Sequence, residues 1–429
     1  MAIIIKKVIP LFLFSALQPA YHFLLAFFST LWYGFPSRNL VVIGVTGTKG
    51  KTSVVELLHA VFSEAGYATA SQSSYAFRIK DSETKNDKKM TMPGRFFVQK
   101  FLRDAKKAKC RFVILEVTSE GIRQYRHRFI NFHAAVVTNI APEHIESHGG
   151  FEPYVRAKLD LFMRLPHDGF AVINADDNEC PRFLAATSAK KVFYGKEKVE
   201  FSGKKTLVKD IEAGEKGIEF SIDGKAVTSP LKGEFNAYNL LAAYTAAAVF
   251  HVSPEKIISA FEKFKGVPGR MEYVLHDPFH VVVDYAHTPD SLKSVYSFLN
   301  SQKKGKMICV LGSAGGGRDK WKRPEFGKIA GEFCDEIILT NEDSYDEDSQ
   351  KILEEIAAGL PATRIMKYKN ILDRRGAIHD ALMLAKPGDT VVITGKGSEP
   401  WIMGSNGAKT PWDDREAVRE ESQKIDVKK

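Results

Sequence analysis

The chain has 429 residues, of which 44% are hydrophobic and 26% are charged. That length suits two or three domains with buried cores, and the composition excludes a disordered or collagen-like protein. The 61 Lys and Arg residues outnumber the 52 Asp and Glu residues, so the formal net charge is +9. This charge favours anionic partners such as nucleotides, phosphorylated precursors or anionic lipid heads. Because no basic block carries interleaved aromatic residues, we predict no nucleic-acid partner.

The four cysteines, Cys110, Cys180, Cys309 and Cys334, lie far apart in the sequence and form no C-x-x-C pair. This spacing argues against a zinc cluster and against a disulfide framework. We therefore expect a reducing, cytoplasmic location.

The N-terminal segment, residues 1–37, is mostly apolar, and residues 8–36 contain no Asp, Glu, Lys or Arg. It is long enough to span a bilayer, although Pro10, Pro19 and His22 interrupt it. Trp32 near its end is typical of a bent helix at a membrane surface, which would attach the protein to the inner face of the membrane. The alternative is a helical pair that packs onto the following domain.

The next segment has the pattern of a phosphate-binding loop. An apolar run over residues 40–45 enters a glycine-rich turn, and Lys51 and Thr52 then begin an amphipathic helix. Backbone N–H groups of such a turn bind phosphates, the lysine reaches the terminal phosphates, and the threonine can ligate Mg²⁺. The strict pattern requires glycine at Val45, whereas this chain has it at Gly44. The predicted nucleotide-binding residues of the loop are Gly47, Thr48, Lys49, Gly50, Lys51, Thr52 and Ser53.

Alternating strands and helices follow over residues 38–267, which we assign to a central domain. We predict strands at 112–117, 134–138 and 169–174, a helix at 96–109, a long exposed loop at 71–94 and a small antiparallel insert at 198–231. Polar side chains collect where the strands end, as at ligand sites of open α/β sheets. Carboxylate and imidazole groups that could ligate Mg²⁺ there are Glu116, Glu143, His144, Glu146 and His148.

A second domain begins near Gly266-Val-Pro-Gly269 and covers residues 268–429. Its predicted strands, 281–284, 307–311, 336–340 and 390–394, alternate with helical stretches, which indicates a second, mostly parallel sheet of dinucleotide-fold type. Asp284 and His287 follow a buried strand and should face the central domain. The glycine-rich loop before Arg318, Lys320 and Arg323 suits a carboxylate or phosphate.

Taken together, these motifs resemble the Mur ligase family, and within it the MurE type of UDP-N-acetylmuramoyl-tripeptide synthetases. The resemblance covers about residues 40–419. It implies an α/β fold: a P-loop central domain with a mostly parallel sheet, then a C-terminal Rossmann-like ligase domain, preceded here by the apolar helical segment. The matching segments are GVTGTKGKTS, EVTSEGIRQYR, TNIAPEHIESHGGFEPYVRAKLDLF, GEFNAYNLLAA, GVPGRME, DYAHTPDSL, GGGRDKWKRP, GKGSE and DDRE.

The resemblance also implies a role for individual residues, with ATP and Mg²⁺ as cofactors. Lys158 falls on the family's carbamylated lysine, in which CO₂ converts a cation into an anionic oxygen ligand. The implied catalytic residues are Lys51, His144 and Lys158, and the metal ligands are Thr52, Glu116, His144 and Lys158. The implied nucleotide contacts outside the loop are Asn139, Asn239, Arg270, Asp284 and His287. The implied contacts to the acceptor or the amino acid are Thr91, Thr118, Ser119, Gln124, Arg126, Arg318, Gly395 and Glu399.

The implied reaction transfers the γ-phosphoryl group of ATP to the carboxylate of a UDP-muramoyl-peptide, after which the amine of a free amino acid attacks. We expect a monomer. Before the central domain, the apolar segment stands where the family has a UDP-binding domain, so an alternative is a lipid-linked or non-murein acceptor, as in folylpolyglutamate synthetase or poly-amino-acid ligases. Tyr345 replaces an arginine that clamps diaminopimelate in relatives, which argues against that amino acid. A nucleotide switch without ligase activity is a further alternative.

Overall fold

The computed structural model describes residues 11–88, 90–143, 145–196, 204–214, 216–222, 224–317, 319–361 and 367–426. His144 and Arg318, two of the predicted site residues, lie outside the described residues. The chain first forms helix α1 (Leu11–Trp32), then a short 3-10 turn (Pro36–Asn39) that leads into the first sheet.

The central domain alternates strands and helices around one large sheet. The strand order in this sheet is β11-β10-β9-β8-β7-β6-β1-β5-β2-β3-β4. Its elements are β1 (Val41–Thr46), α2 (Lys51–Glu64), β2 (Thr69–Gln72), β3 (Ala76–Ile79), β4 (Ser82–Lys85), α3 (Arg95–Lys107), β5 (Phe112–Glu116), α4 (Ser119–Arg123), β6 (Phe132–Val137), α5 (Ile145–His148), α6 (Phe151–Met163), β7 (Phe170–Asn174), α7 (Cys180–Ala186), β8 (Lys190–Gly195), β9 (Lys204–Gly214), β10 (Gly217–Ile222), β11 (Lys225–Ser229), α8 (Glu234–Ala248) and α9 (Pro254–Lys263).

The middle of this sheet is parallel and buried on both faces, because helices cover it from each side. This explains why β1 and β5 are continuous apolar runs rather than alternating ones. The carboxyl ends of β1, β5 and β6 therefore meet at one edge, where the phosphate-binding loop begins.

Two expectations for this domain need correction. Residues 71–94 are not one long loop: β2, β3 and β4 form antiparallel pairs at the edge of the sheet. The sequence analysis missed these strands because β2 and β4 consist mainly of polar residues, and every residue of β4 is exposed. The segment β9–β11 is antiparallel as predicted, but β9 pairs in parallel with β8, so it extends the central sheet instead of forming a separate insert.

The second domain has its own sheet, with strand order β12-β13-β17-β14-β15-β16, parallel except for β12. The predicted strands are confirmed, and the bounds of β14 and β17 are those expected. Whether domains divide at residues 37 and 267 stays a prediction. The elements are β12 (Glu272–Leu275), β13 (His280–Asp284), α10 (Pro289–Gln302), β14 (Met307–Leu311), α11 (Lys322–Phe333), β15 (Glu336–Leu339), α12 (Ser349–Ala357), β16 (Lys367–Asn370), α13 (Arg374–Leu384), β17 (Thr390–Thr394), β18 (Trp401–Met403), a 3-10 turn (Ser405–Gly407), β19 (Lys409–Pro411) and α14 (Asp414–Asp426).

The cysteines also differ from expectation, because Cys309 and Cys334 form a disulfide with a Cα–Cα distance of 6.0 Å. Cys309 lies in β14, and Cys334 follows α11 just before the neighbouring strand β15, so the fold brings them together. Spacing along the sequence does not reveal such a pair. Cys110 and Cys180 are free and buried.

Helix α1 packs as a single helix against α3 and against the turn after α4, where the ring of Phe23 lies 5.2 Å from that of Phe129. The helical pair, which was the alternative to a helix at the membrane surface, is a single helix within the described residues. In the part of the chain that the structure describes, we find no helix with the length and apolar character needed to cross a membrane.

Candidate active site

The phosphate-binding loop is shaped by two glycines with positive φ. A Cβ atom on Gly47 (φ +144°) would lie 1.9 Å from Thr138 Oγ1, and one on Gly50 (φ +79°) would lie 2.1 Å from Asn239 Oδ1. Both side chains come from other elements, so glycine is needed here for conformation and for close approach. Gly50 precedes α2, whose first N–H groups point into the loop.

The strand end after β6 fixes the loop in place. Asn139 accepts from the backbone N–H of Lys49 through its side chain (2.9 Å) and donates to the Lys49 carbonyl oxygen (3.1 Å). Its own carbonyl oxygen accepts from the Thr48 N–H at 2.7 Å. The Thr48 hydroxyl is 2.8 Å from the hydroxyl of Tyr154. Asn139, predicted to contact nucleotide, therefore holds the loop from behind.

Lys51 and Thr52 open α2 at the mouth of the site, and Ser53 follows half-buried. The Lys51 ammonium donates to the Thr48 carbonyl oxygen at 2.8 Å, so it folds back over the loop. The Thr52 hydroxyl donates to Glu116 Oε2 at 3.1 Å. This contact joins the loop to the end of β5.

Glu116 is also held by Ser74, a residue that the sequence analysis passed over. Glu116 accepts from the Ser74 N–H at 2.7 Å and from its hydroxyl at 3.1 Å, and that hydroxyl lies 2.8 Å from the hydroxyl of Thr91. Thr91 was predicted as a substrate contact, and the structure places it beside Glu116. Ser74 lies in the turn between β2 and β3, and the residues around it match no motif, so the sequence does not indicate its role.

Lys158 reaches the same region from α6 and is almost fully buried, with 2% of its surface exposed. Its ammonium donates to the Gly47 carbonyl oxygen at 2.7 Å, and it lies 4.5 Å from the centre of the Tyr154 ring. Burial lowers the pKa of this amine well below its usual value, and the nearby Lys51 charge lowers it further. A lowered pKa favours the uncharged amine, which is the nucleophilic form of lysine.

The two domains meet at Glu143, which follows β6. Its Oε1 atom accepts from the Lys49 ammonium at 2.9 Å and lies 3.2 Å from Nε2 of His287, which comes from the C-terminal domain. Lys322, also of that domain, donates to the His287 carbonyl oxygen at 3.2 Å. Glu143 thus serves as a bridge between domains. The sequence suggested it as a metal ligand.

The C-terminal domain presents two more predicted residues at this junction. Asp284, at the end of β13, is buried and accepts from the N–H groups of Met271 (2.6 Å) and Ala286 (2.7 Å), and burial raises its pKa. The Arg270 guanidinium lies 4.1 Å from the centre of the Tyr285 ring. These contacts order the segment that carries His287.

A second polar cluster lies at the carboxyl end of β17. Lys396 is fully buried between Asp343 (2.9 Å) and Glu399 (2.5 Å). A Cβ atom on Gly395 would lie 2.4 Å from Glu342 Oε2. The structure therefore brings the predicted Gly395 and Glu399 together with Lys396, which is readable in the sequence only as the residue between two glycines.

The remaining predicted contacts lie at the two ends of α4 and in the turn after it. Thr118 caps α4 by accepting from the Gly121 N–H at 3.0 Å, and Ser119 begins that helix. Arg126 donates to the Gln124 side chain at 2.8 Å and to the Met92 carbonyl oxygen. Gln124 and Arg126 thus lie next to the Thr91 segment, on the side of the site nearest α1.

The donor atoms fit Mg²⁺, which prefers oxygen ligands and needs few from protein when phosphates supply the rest. Thr52 and Glu116 provide a hydroxyl and a carboxylate in contact. Within the described ranges, no cluster of three His, Cys, Asp or Glu side chains is arranged to hold a metal. The predicted ligand set does not require one, because it includes a threonine and a modified lysine. His144 of that set lies outside the described residues.

Comparison with known proteins finds matches over most of the chain. The model of the Mur ligase middle domain matches residues 45–247, and that of the Mur ligase glutamate ligase domain matches residues 269–397. The chain is 36% identical over 394 residues to the UDP-N-acetylmuramoyl-L-alanyl-D-glutamate–2,6-diaminopimelate ligase of Parabacteroides distasonis, covering 91% of this chain and 79% of that protein. The chain belongs to the Mur ligase family.

Two further comparisons place it within that family. The UDP-N-acetylmuramyl-tripeptide synthetase of Roseiflexus sp. is 35% identical over 422 residues, covering 92% of this Mur ligase and 81% of that protein. A solved UDP-N-acetylmuramoyl-L-alanyl-D-glutamate–2,6-diaminopimelate ligase is 31% identical with a TM-score of 0.62, covering 90% and 79% of the two chains. The protein is thus an ATP-dependent, ADP-forming ligase that joins an amino acid to a carboxylate.

Proposed function

We propose that this Mur ligase adds an amino acid to the carboxylate of a UDP-N-acetylmuramoyl-peptide through an acyl phosphate. One observation carries the proposal: Lys51, Thr52, Glu116 and buried Lys158 converge on one phosphate-binding loop, and His287 of the C-terminal domain contacts Glu143, which pairs with Lys49 of that loop. The names of the relatives from Parabacteroides and Roseiflexus support the acceptor class.

In the first step, a carboxylate oxygen of the acceptor attacks the γ-phosphorus of ATP, and the bond between that phosphorus and the ADP oxygen breaks. The N–H groups at the start of α2 and the Lys51 ammonium stabilise the negative charge that develops. Mg²⁺ held by Thr52 and Glu116 would neutralise charge on the phosphate oxygens. Thr91, Gln124 and Arg126 orient the acceptor.

In the second step, the amine nitrogen of the incoming amino acid attacks the acyl carbon, and the bond from that carbon to the phosphate oxygen breaks. The nitrogen loses a proton to solvent, which leaves the amide and free phosphate. Gly395, Lys396 and Glu399 line the side from which the amine arrives, in the C-terminal domain. The Glu143 bridge between domains brings this pocket to the loop and excludes water, which would otherwise hydrolyse the acyl phosphate.

Lys158 has a separate role. Its uncharged amine attacks CO₂, a C–N bond forms, and the proton that leaves the nitrogen goes to solvent, which yields an anionic carbamate. The carbamate would place anionic oxygen donors in the region of Thr52 and Glu116, the residues that would hold Mg²⁺. The depressed pKa of Lys158 supports this role, because only the unprotonated amine reacts.

The proposal is tested by phosphate release from ATP and Mg²⁺ with UDP-N-acetylmuramoyl-alanyl-glutamate and a panel of amino acids. We expect turnover that depends on one amino acid, and a Lys51→Ala variant that releases no phosphate. Because Tyr345 lacks the guanidinium that would pair with a distal carboxylate, we expect lysine to be used more efficiently than diaminopimelate.

Phosphate release that needs no amino acid would contradict ligation, since it would indicate a simple ATPase. Release supported only by an acceptor without the UDP-muramoyl group would retain the ligase and overturn the proposed substrate. Lys328→Ala, an exposed lysine on α11, is the control for the loss of one lysine charge.

A further inference from the structure

Helix α1 carries a stripe of large apolar side chains that face away from the protein. Their spacing of four, three, four and three residues places them on one side of the helix. We call this stripe, about 21 Å long at 1.5 Å per residue, the outer face of α1. Its residues and their exposed fractions are Leu17 (54%), Tyr21 (52%), Leu24 (51%), Phe28 (55%) and Leu31 (53%).

The side of α1 that packs on the protein is made of small and polar residues together with the rings of Phe23 and Phe27, which contact Phe129. Ala26, Ser29 and Thr30 are buried there, and the two hydroxyls each donate to the Ala26 carbonyl oxygen at 2.9 Å. The helix therefore exposes larger apolar side chains than those it buries completely, unlike a helix that packs on a core and faces water. A contiguous apolar stripe of this size marks a surface that a membrane or another protein covers.

Arginines from three other segments border the helix and the turn after it. The guanidinium of Arg128 lies 5.9 Å from the centre of the Phe23 ring, that of Arg103 lies 5.6 Å from Tyr33, and that of Arg38 lies 4.4 Å from Phe35. Trp32, at the end of α1, is 76% exposed. An apolar face with a basic border and an exposed tryptophan matches a membrane interface with anionic headgroups.

We propose that the outer face of α1 binds the surface of an anionic lipid bilayer, with the helix lying in the plane of the interface and the bordering arginines at the headgroups. A second copy of this chain fits the face less well. Self-association through the same stripe would bring the arginine borders of two molecules together, and like charges repel.

The position of α1 gives this contact a consequence for the reaction. The helix packs on the turn after α4, where the centre of the Phe23 ring lies 6.4 Å from that of the Tyr125 ring. Tyr125 stands between Gln124 and Arg126 in the sequence. Those two residues contact the acceptor if the proposed function holds. Membrane contact would then place the acceptor side of the site at the lipid surface, where a lipid-linked acceptor is within reach.

The test is flotation of the full chain with vesicles of phosphatidylcholine, with and without phosphatidylglycerol. We expect binding to the vesicles that contain phosphatidylglycerol, weakened by salt. Leu24→Glu with Phe28→Glu should lower that binding at least about tenfold, because two apolar contacts become charged. The matched control is Met383→Glu with Leu384→Glu on α13, where the two side chains are 56% and 40% exposed.

Equal binding by the α1 variant and the wild type would overturn the proposal, as would a wild type that ignores both vesicle types. A wild-type dimer that the α1 variant dissociates, without vesicle affinity, would assign the face to a second copy instead. Far-UV circular dichroism of each variant checks folding. Because binding is measured without substrates, failure of this inference and failure of the proposed ligase reaction are distinguishable.

Discussion

Replacing Lys158 with alanine should lower kcat for amide formation by roughly 10²–10³-fold, the size expected when one preorganised charge is removed from an active site. Lys158 is buried, and its amine donates to the carbonyl oxygen of Gly47 in the phosphate-binding loop. If it carries a carbamate, the wild type should lose activity when CO₂ and bicarbonate are removed, and should regain it when they are returned. Steady-state rates under both conditions measure this.

Two further readouts separate a carbamate from a merely structural lysine. Native mass spectrometry of the wild type should show the added mass of one CO₂, absent from Lys158→Ala. A small carboxylate such as acetate should partly restore the variant, because it supplies the missing anionic oxygens. The Lys328→Ala variant keeps Lys158, so it should show the same added mass and the same bicarbonate dependence as the wild type and should gain nothing from acetate. An unmodified wild type whose rate ignores bicarbonate would contradict this role.

Replacing Gly50 with alanine should lower kcat/KM for ATP by about 10²-fold, as expected for a misplacement of about 1 Å in a site. The added Cβ atom would lie 2.1 Å from Asn239 Oδ1, so the loop or Asn239 must move. Asn239 is itself held, because its side-chain amide donates to Asn236 at 2.8 Å. Isothermal titration of an ATP analogue and steady-state kinetics measure the effect.

Gly66→Ala is the matched control for Gly50→Ala. Gly66 has φ +87°, close to the +79° of Gly50, but a Cβ atom there meets nothing within 4 Å. Both variants should therefore lose about 1–2 kcal/mol of unfolding free energy from the left-handed backbone. Only Gly50→Ala should lose ATP binding. Similar ATP kinetics for the two variants would show that backbone strain, and not the Asn239 contact, matters at Gly50.

Much of the fold could be predicted because parallel strands buried on both faces appear in the sequence as continuous apolar runs. The run at β14 is apolar throughout, that at β17 is apolar between two threonines, and glycine follows each, so their bounds follow from the sequence. The phosphate-binding loop could be predicted for a similar reason. Its glycines, its Lys-Thr pair and its flanking strand and helix all lie within residues 41–64.

The features that the sequence analysis missed depend on contacts between distant segments. Ser74 donates to Glu116 from the turn between β2 and β3, in a segment that we predicted as a loop. Cys309 pairs with Cys334 because β14 and β15 are neighbours in the sheet. Glu143 belongs to a residue type that commonly ligates metals. In the structure, however, its carboxylate lies between Lys49 of the central domain and His287 of the C-terminal domain. Periodicity and spacing describe local structure, so they could not predict contacts between segments that are distant in the sequence.

The central claim is that the acceptor carboxylate and the γ-phosphoryl group of ATP form an acyl phosphate. It is tested most directly with an acceptor in which both carboxylate oxygens are ¹⁸O. If the acceptor carboxylate attacks the γ-phosphorus, one labelled oxygen must leave with the released phosphate when the amine displaces it, and the other must stay in the amide. Mass spectrometry of the phosphate should show one ¹⁸O per amide formed. Unlabelled phosphate, or label in AMP, would contradict the proposed mechanism.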